Sequence, residues 1–136
     1  MQLSAHLTFN GNCREAFEFY AKVFGGRIAT MMTWGESPLA EHVSPAERNA
    51  IMHASLEISA DTLAGADVVG RPYVPLQGVY MILEPQSVED AQRVFAELAE
   101  GGSIVMPLEE TFWALRYGMV TDRFGVSWEV NCGKPH

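Results

Sequence analysis

Basic residues are scarce in this chain. Lys and Arg number 9 against 17 Asp and Glu, a formal charge of −8 at pH 7. Binding to a phosphate backbone rests on clustered Lys and Arg and on the counterions they release, so nucleic acid is excluded as a partner. Attachment to an anionic membrane surface is disfavoured for the same reason, since no basic cluster is present. Cysteine is almost absent: Cys13 and Cys132 lie near opposite ends with no partner at metal-ligand spacing. A reduced, cytoplasmic protein is the expected setting, with a single disulfide as the open alternative. No apolar run approaches the ~18 residues needed to span a bilayer. The opening MQLSAHLTFNGNC has neither the basic start nor the apolar stretch of a signal peptide. Also missing are a Gly-x-Ser-x-Gly elbow, a phosphate-cradling P-loop, a Cys-x-x-Cys pair and a His-Glu-x-x-His helix. What is present is 136 residues, 48% of them apolar and 19% charged, enough for one domain with a filled core.

An internal repeat organises the chain. A strand candidate, Leu3–Phe9, leads through Asn10–Asn12 into the amphipathic stretch CREAFEFYAKVFGG. In the second half Gly78–Glu84 leads through Pro85–Ser87 into VEDAQRVFAELAEGG. Ala16, Phe19, Tyr20 and Val23 recur at the spacing of one buried helical face, and Ala91, Val94, Phe95 and Leu98 reproduce it. Asn12 with Glu15 and Ser87 with Asp90 read as capping-box starts, and the pairs Gly25-Gly26 and Gly101-Gly102 as stops. Strands are expected at Arg27–Thr33 and Ile51–Ser59, then at Ser103–Met106, Trp113–Thr121 and Val126–Asn131. Leu56-Glu57-Ile58 reads like Trp128-Glu129-Val130, each with one Glu between two apolar neighbours.

Two segments break the pattern. Trp34–Ala50, which includes His42, reads as a mobile excursion with the character of a lid. Asp61–Gln77 reads as a short hairpin strand followed by a linker. The expected fold is a single α+β domain over residues 1–136, built from two paired βαβββ modules (about 1–70 and 76–132) that form a curved mixed sheet around a cavity. Strand parity assigns the inner surface. Leu3, Ala5, Leu7 and Phe9 face the helix, leaving Ser4, His6 and Thr8. Met52, Ala54, Leu56 and Ile58 face it likewise, leaving His53, Ser55, Glu57 and Ser59. On the last strand Ser127, Glu129 and Asn131 are left. Open strand edges favour a homodimer.

The segments FNGNCREAFEFYAKVFGG (Phe9–Gly26), IMHASLEI (Ile51–Ile58) and ETFWALRYGMVTDRFGVSWEV (Glu110–Val130), with His6 early on the first strand, resemble the vicinal oxygen chelate superfamily. That group includes glyoxalase I, extradiol dioxygenases, and bleomycin and fosfomycin resistance proteins; the nearer likeness is to its PhnB-like branch. The resemblance implies metal ligands on the first and last strands of each module. Carried over by position, these are His6, Glu57 and Glu129, with Gly78 at the third place and Tyr80 next on the same face. One imidazole and two carboxylates would suit one divalent ion of Zn, Mn, Fe, Ni or Co. Members of the branch are sometimes labelled demethylubiquinone methyltransferases, but no Gly-rich loop opens a helix at a nucleotide-binding crossover here.

Two functions are consistent with these features. One is a module that holds a small molecule between the two βαβββ units. The other is a divalent-metal-dependent lyase, isomerase or transferase using His6, Glu57 and Glu129, with Glu129 as candidate catalytic base. His53 lies roughly 13 Å along the strand from Glu57, so it is a candidate for hydrogen bonding a substrate rather than sharing an ion. Trp113 could stack on a flat ligand. Arg116 could hold a carboxylate or phosphonate, although parity sets it on the opposite face from Trp113. Asp122–Gly125 reads as no more than the turn before the last strand.

Overall fold

The computed structural model describes residues 1–135. The chain divides into two compact units, Met1–Pro75 and the residues from Leu76 onward. The first runs β1 (Ala5–Phe9), α1 (Cys13–Phe24), β2 (Arg27–Thr33), β3 (Ile51–Ile58) and β4 (Asp61–Asp67). The second runs β5 (Met81–Leu83), α2 (Val88–Ala99), β6 (Ser103–Glu109), β7 (Ala114–Thr121) and β8 (Ser127–Gly133). Each unit has one four-stranded mixed sheet, ordered β1-β4-β3-β2 and β5-β8-β7-β6. In both, the first and last strands pair in parallel and the other pairs are antiparallel. This is an α+β fold of two βαβββ modules. The duplication extends to an irregularity: the ladder slips between Ile28 and Thr30, and again between Ile104 and Met106. In each unit the extra residue sits just after the start of the second strand, where a bulge bends the edge.

The helices form where the apolar spacing predicts. α2 buries Ala91, Val94, Phe95 and Leu98. α1 buries Cys13, Ala16, Phe17, Tyr20 and Val23, and Phe19 is only half-buried. Phe17 takes the deep position because Gly65 on β4 leaves room for its ring; a Cβ there would lie 2.7 Å from Phe17 Cε1. Burial of each such aromatic or aliphatic side chain contributes about 1.5–3 kcal/mol.

The two helix starts differ. Ser87 accepts a hydrogen bond from the Asp90 N–H at 3.1 Å, as expected. Asn12 makes no side-chain cap. Its place is taken from 54 residues away by Asp67, whose Oδ1 accepts from the Cys13 N–H at 3.0 Å. The same oxygen accepts from Gly11 at 3.0 Å, and Oδ2 accepts from the Ile51 N–H at 2.8 Å. One buried carboxylate thereby ties the end of β4 to the start of α1 and the start of β3, at the helix end that favours negative charge. Asp122 has a matching role in the second unit and is more than a turn residue. Its Oδ1 accepts from Phe124 and Val126 at 2.9 and 3.1 Å, and its Oδ2 from Trp128 Nε1 at 2.9 Å.

The bounds of the first strand need correction. β1 starts at Ala5, so Leu3 lies outside it and is exposed. Asp61–Asp67 is a full strand in the middle of its sheet, between β1 and β3. The expected hairpin strand is thus present, and it, not β3, closes the module. The excursion 34–50 is closed at its base by Trp34 N–H to Ala50 O (3.0 Å) and Gly35 N–H to Arg48 O (2.8 Å). It carries two short 3-10 turns, Ala40–His42 and Pro45–Glu47. No helix among the described residues is long and apolar enough to cross a membrane.

Candidate functional site

Each helix covers one face of its sheet. The residues of interest lie on the other face, because side chains directly opposite in neighbouring strands share a face. In the first unit the register lines up His6, Ala64, Ser55 and Thr30 across all four strands. Glu57 lies in the next row, between Thr62 and Arg27. His53 pairs with Met32 farther along β3. The whole width of β4 separates His6 from β3, roughly 10 Å from backbone to backbone. Glu57 turns instead to the outer strand, where Arg27 donates to its Oε2 at 2.7 Å. Both partners are well exposed, so the pair adds at most about 1 kcal/mol.

The second unit brings a different group together. Trp113, just before β7, packs its ring edge-to-face on Tyr117, with centroids 5.2 Å apart. Phe112 packs on Trp113 at 4.8 Å. The Tyr117 hydroxyl donates to Glu129 Oε1 on β8. That bond, with burial and the nearby carboxylate acting in the same direction, pushes the phenol up to about 12. The Tyr80 phenol is close enough to add to the effect. Tyr117 therefore keeps its proton at neutral pH and acts as a donor that aims Glu129. Asn131 stands directly across from Tyr117, and Ile82 of β5 beside Glu129. The Asn131 Oδ1 is buried and has no hydrogen-bond partner among the described residues. Among the described residues no cation pairs with Glu129. Arg116 is opposite Cys132, on the other side of the strand, and its Nη1 donates to the Leu115 carbonyl.

Of the expected site residues, the structure thus gathers Trp113 and Glu129 and adds Tyr117 between them. The ladder slips between Ala114 and Arg116, so strand parity along the sequence could not relate Tyr117 to Trp113. Glu57 is on the third strand of its unit; the closing strand is β4, and the residue there beside His6 is Ala64. Gly78 is outside β5, and the residue beside Glu129 is Ile82. At the two first-and-last-strand pairs the donors are therefore one imidazole with an alanine, and one carboxylate with an isoleucine. With Glu57 held by Arg27 and Glu129 by Tyr117, this set does not fit a shared divalent ion. Among the described residues no group of three or more His, Cys, Asp or Glu could hold one.

Comparison with known proteins gives a consistent family. The model of the Glyoxalase/Bleomycin resistance protein/Dioxygenase superfamily matches residues 4–130. Protein YjdN of Escherichia coli (strain K12) is 35% identical over 143 residues, covering 98% of this chain and 97% of that protein. The crystal structure of PA1353 from Pseudomonas aeruginosa superposes with a TM-score of 0.90 at 44% identity, covering 99% of each chain. A Bacillus cereus protein described as a putative 3-demethylubiquinone-9 3-methyltransferase, PhnB protein, superposes with a TM-score of 0.82. At 23% identity over 98% of this chain and 100% of that one, it shows the PhnB-like fold alone.

Proposed function

The chain belongs to the glyoxalase/bleomycin resistance/dioxygenase superfamily, and from that premise we propose that it is a small-molecule-binding protein. The ligand lies on the open sheet face of the second unit, against Trp113, Tyr117 and Glu129. The observation that carries this reading is the Tyr117–Glu129 hydrogen bond beside the 46% exposed Trp113. A held carboxylate next to an exposed indole combines a fixed polar contact with a flat apolar surface, the usual composition of a small-molecule site. Packing alone does not account for the pair, because a half-buried carboxylate costs desolvation and gains no cation here. Glu129 can accept a hydrogen bond or a proton from the ligand, and the Trp113 ring can stack on its plane. His53 belongs to the first unit and is left out of this site. Arg116 is left out because it points the other way.

A thermal-shift screen of a broad small-molecule library tests the proposal. A native-state ligand at 100 times its Kd adds about 2.7 kcal/mol of stability, a rise of about 10 °C for a chain of this size. At least one stabiliser is expected, and its shift is expected to vanish in Trp113→Ala. A library without any stabiliser, or a shift that survives the substitution, overturns the reading.

The chain is also proposed to pair with a second copy. The edge strand β6 leaves Ile104, Val105 and Met106 exposed, the sort of edge that a partner strand covers. Light scattering is expected to give a dimer that Val105→Lys weakens; a monomeric wild type contradicts it.

A further inference from the structure

The charge and ring arrangement of the second unit specifies a class of ligand. We infer that the Trp113–Tyr117–Glu129 face takes an organic cation, an ammonium group carried on or beside an aromatic ring. The inference rests on the binding reading above and adds the ligand's charge to it.

Four observations point the same way. The Glu129 carboxylate has Tyr117 on Oε1 and no cation from the chain on either oxygen among the described residues. Hydroxyl donation from a group that stays protonated orients the carboxylate without neutralising it, so a negative charge remains for something else to meet. The rings of Phe112, Trp113 and Tyr117 are inclined to one another at 79° and 66°. An edge-to-face contact covers one face of one ring, and with Phe112 and Trp113 still exposed other ring surface stays open; the face of an indole or phenol is its negative part, which attracts ammonium groups. Asn131, across from Tyr117 and two positions along β8 from Glu129, holds a buried side-chain oxygen that has no hydrogen-bond partner among the described residues. Finally, the one arginine of this strand, Arg116, is on the opposite side, and Lys134, which follows the residue paired with Ala114, has its Nζ 3.8 Å from the Glu110 carboxylate. The formal charge of −8 adds attraction at long range.

The test uses the full chain and three probes of matched size: benzyltrimethylammonium, its neutral carbon isostere neopentylbenzene, and the anion phenylacetate. Binding is read by isothermal titration calorimetry in wild type, Glu129→Gln, Trp113→Ala and, as a control for net charge, Glu18→Gln on the exposed side of α1. The cation is expected to bind about tenfold more tightly than the neutral probe, the advantage of a partly desolvated cation–π contact beside a carboxylate. Glu129→Gln removes that advantage, Glu18→Gln keeps it, and Trp113→Ala weakens cation and neutral probe together. If Glu129→Gln does not fold, the wild type decides. Raising salt from about 0.05 to 0.5 M is then expected to weaken the cation several-fold and leave the neutral probe unchanged. Equal binding of cation and neutral probe, or stronger binding of phenylacetate, overturns the cation inference; if Trp113→Ala still abolishes binding, the broader proposal stands. Absence of binding by all three overturns the inference, and the library screen then judges the proposal of a binding site by itself.

Discussion

Replacing Asp67 by Ala is expected to be among the most destabilising single changes in the first unit. The carboxylate accepts three backbone N–H groups, those of Gly11, Cys13 and Ile51, at 3.0, 3.0 and 2.8 Å. Gly11 is exposed and can turn to water, but Cys13 and Ile51 are buried, so two donors would lose their acceptor inside the core. Each unsatisfied buried donor costs about 1–3 kcal/mol, and the sum for the two of about 2–6 kcal/mol is a large part of a typical domain's 5–15 kcal/mol. Asp67→Asn retains one carbonyl oxygen. It can serve either the Gly11 and Cys13 donors or that of Ile51, and the amide N–H₂ then faces a donor on the other side. An intermediate loss is expected. Urea unfolding followed by far-UV circular dichroism measures both, with an unchanged dependence on denaturant showing that stability alone has moved. A loss under about 0.5 kcal/mol for Asp67→Ala would refute the account of this side chain as the shared cap of α1 and β3, since ordinary surface changes are that small.

Two further expectations concern titrating groups. Absorbance titration of the wild type against Tyr117→Phe should show one phenol ionising near 12; in Glu129→Gln it should fall towards the ordinary value of about 10, and no change on that substitution would contradict the assigned cause. Because the folded state holds this proton more tightly than the unfolded chain, the group's contribution to stability is complete below the ordinary value and is lost as pH rises towards 12. Burial first, and the Asp67 charge second, push the Cys13 thiol up to about 12, and Cys132 is buried as well. Ellman's reagent at pH 8 should therefore find no fast thiol in the native protein and both on unfolding; a fast native reaction would show that the cysteines are less enclosed than the structure has them.

Much of the fold could be read from local pattern. Both helices follow from apolar spacing, with the stripe of α2 as expected and that of α1 shifted to take in Phe17, and the left-handed steps at Gly25 and Gly101 follow from the glycine pairs. The doubling was visible because both halves reuse the strand–polar turn–helix–glycine order. What escaped was set by distant partners. β4 is a central strand of small residues because Phe17 needs the space above Gly65, which no local propensity reveals. Mistaking β3 for the closing strand then placed Glu57 where Ala64 stands, and matching segment ends put Gly78 where Ile82 stands. Asp67 lies 54 residues beyond the helix it caps, so a search for a local capping box settled on Asn12. At the site, Trp113 and Glu129 were legible as an exposed-type aromatic and a carboxylate of the right parity. Tyr117 was not, because its role depends on the pairing of β7 with β8, and that register is a tertiary property.

The most direct test of the account is to watch the indole of Trp113 while a ligand binds. The chain has three tryptophans, Trp34, Trp113 and Trp128, so 5-fluorotryptophan labelling gives a ¹⁹F spectrum simple enough to assign by single substitution. Titration with a stabiliser from the screen, or with benzyltrimethylammonium, should shift the Trp113 resonance in step with occupancy and leave that of Trp128 in place, since its indole N–H is held by Asp122 beneath the sheet. A stabilising ligand that leaves the Trp113 signal unmoved would contradict the placement of the site.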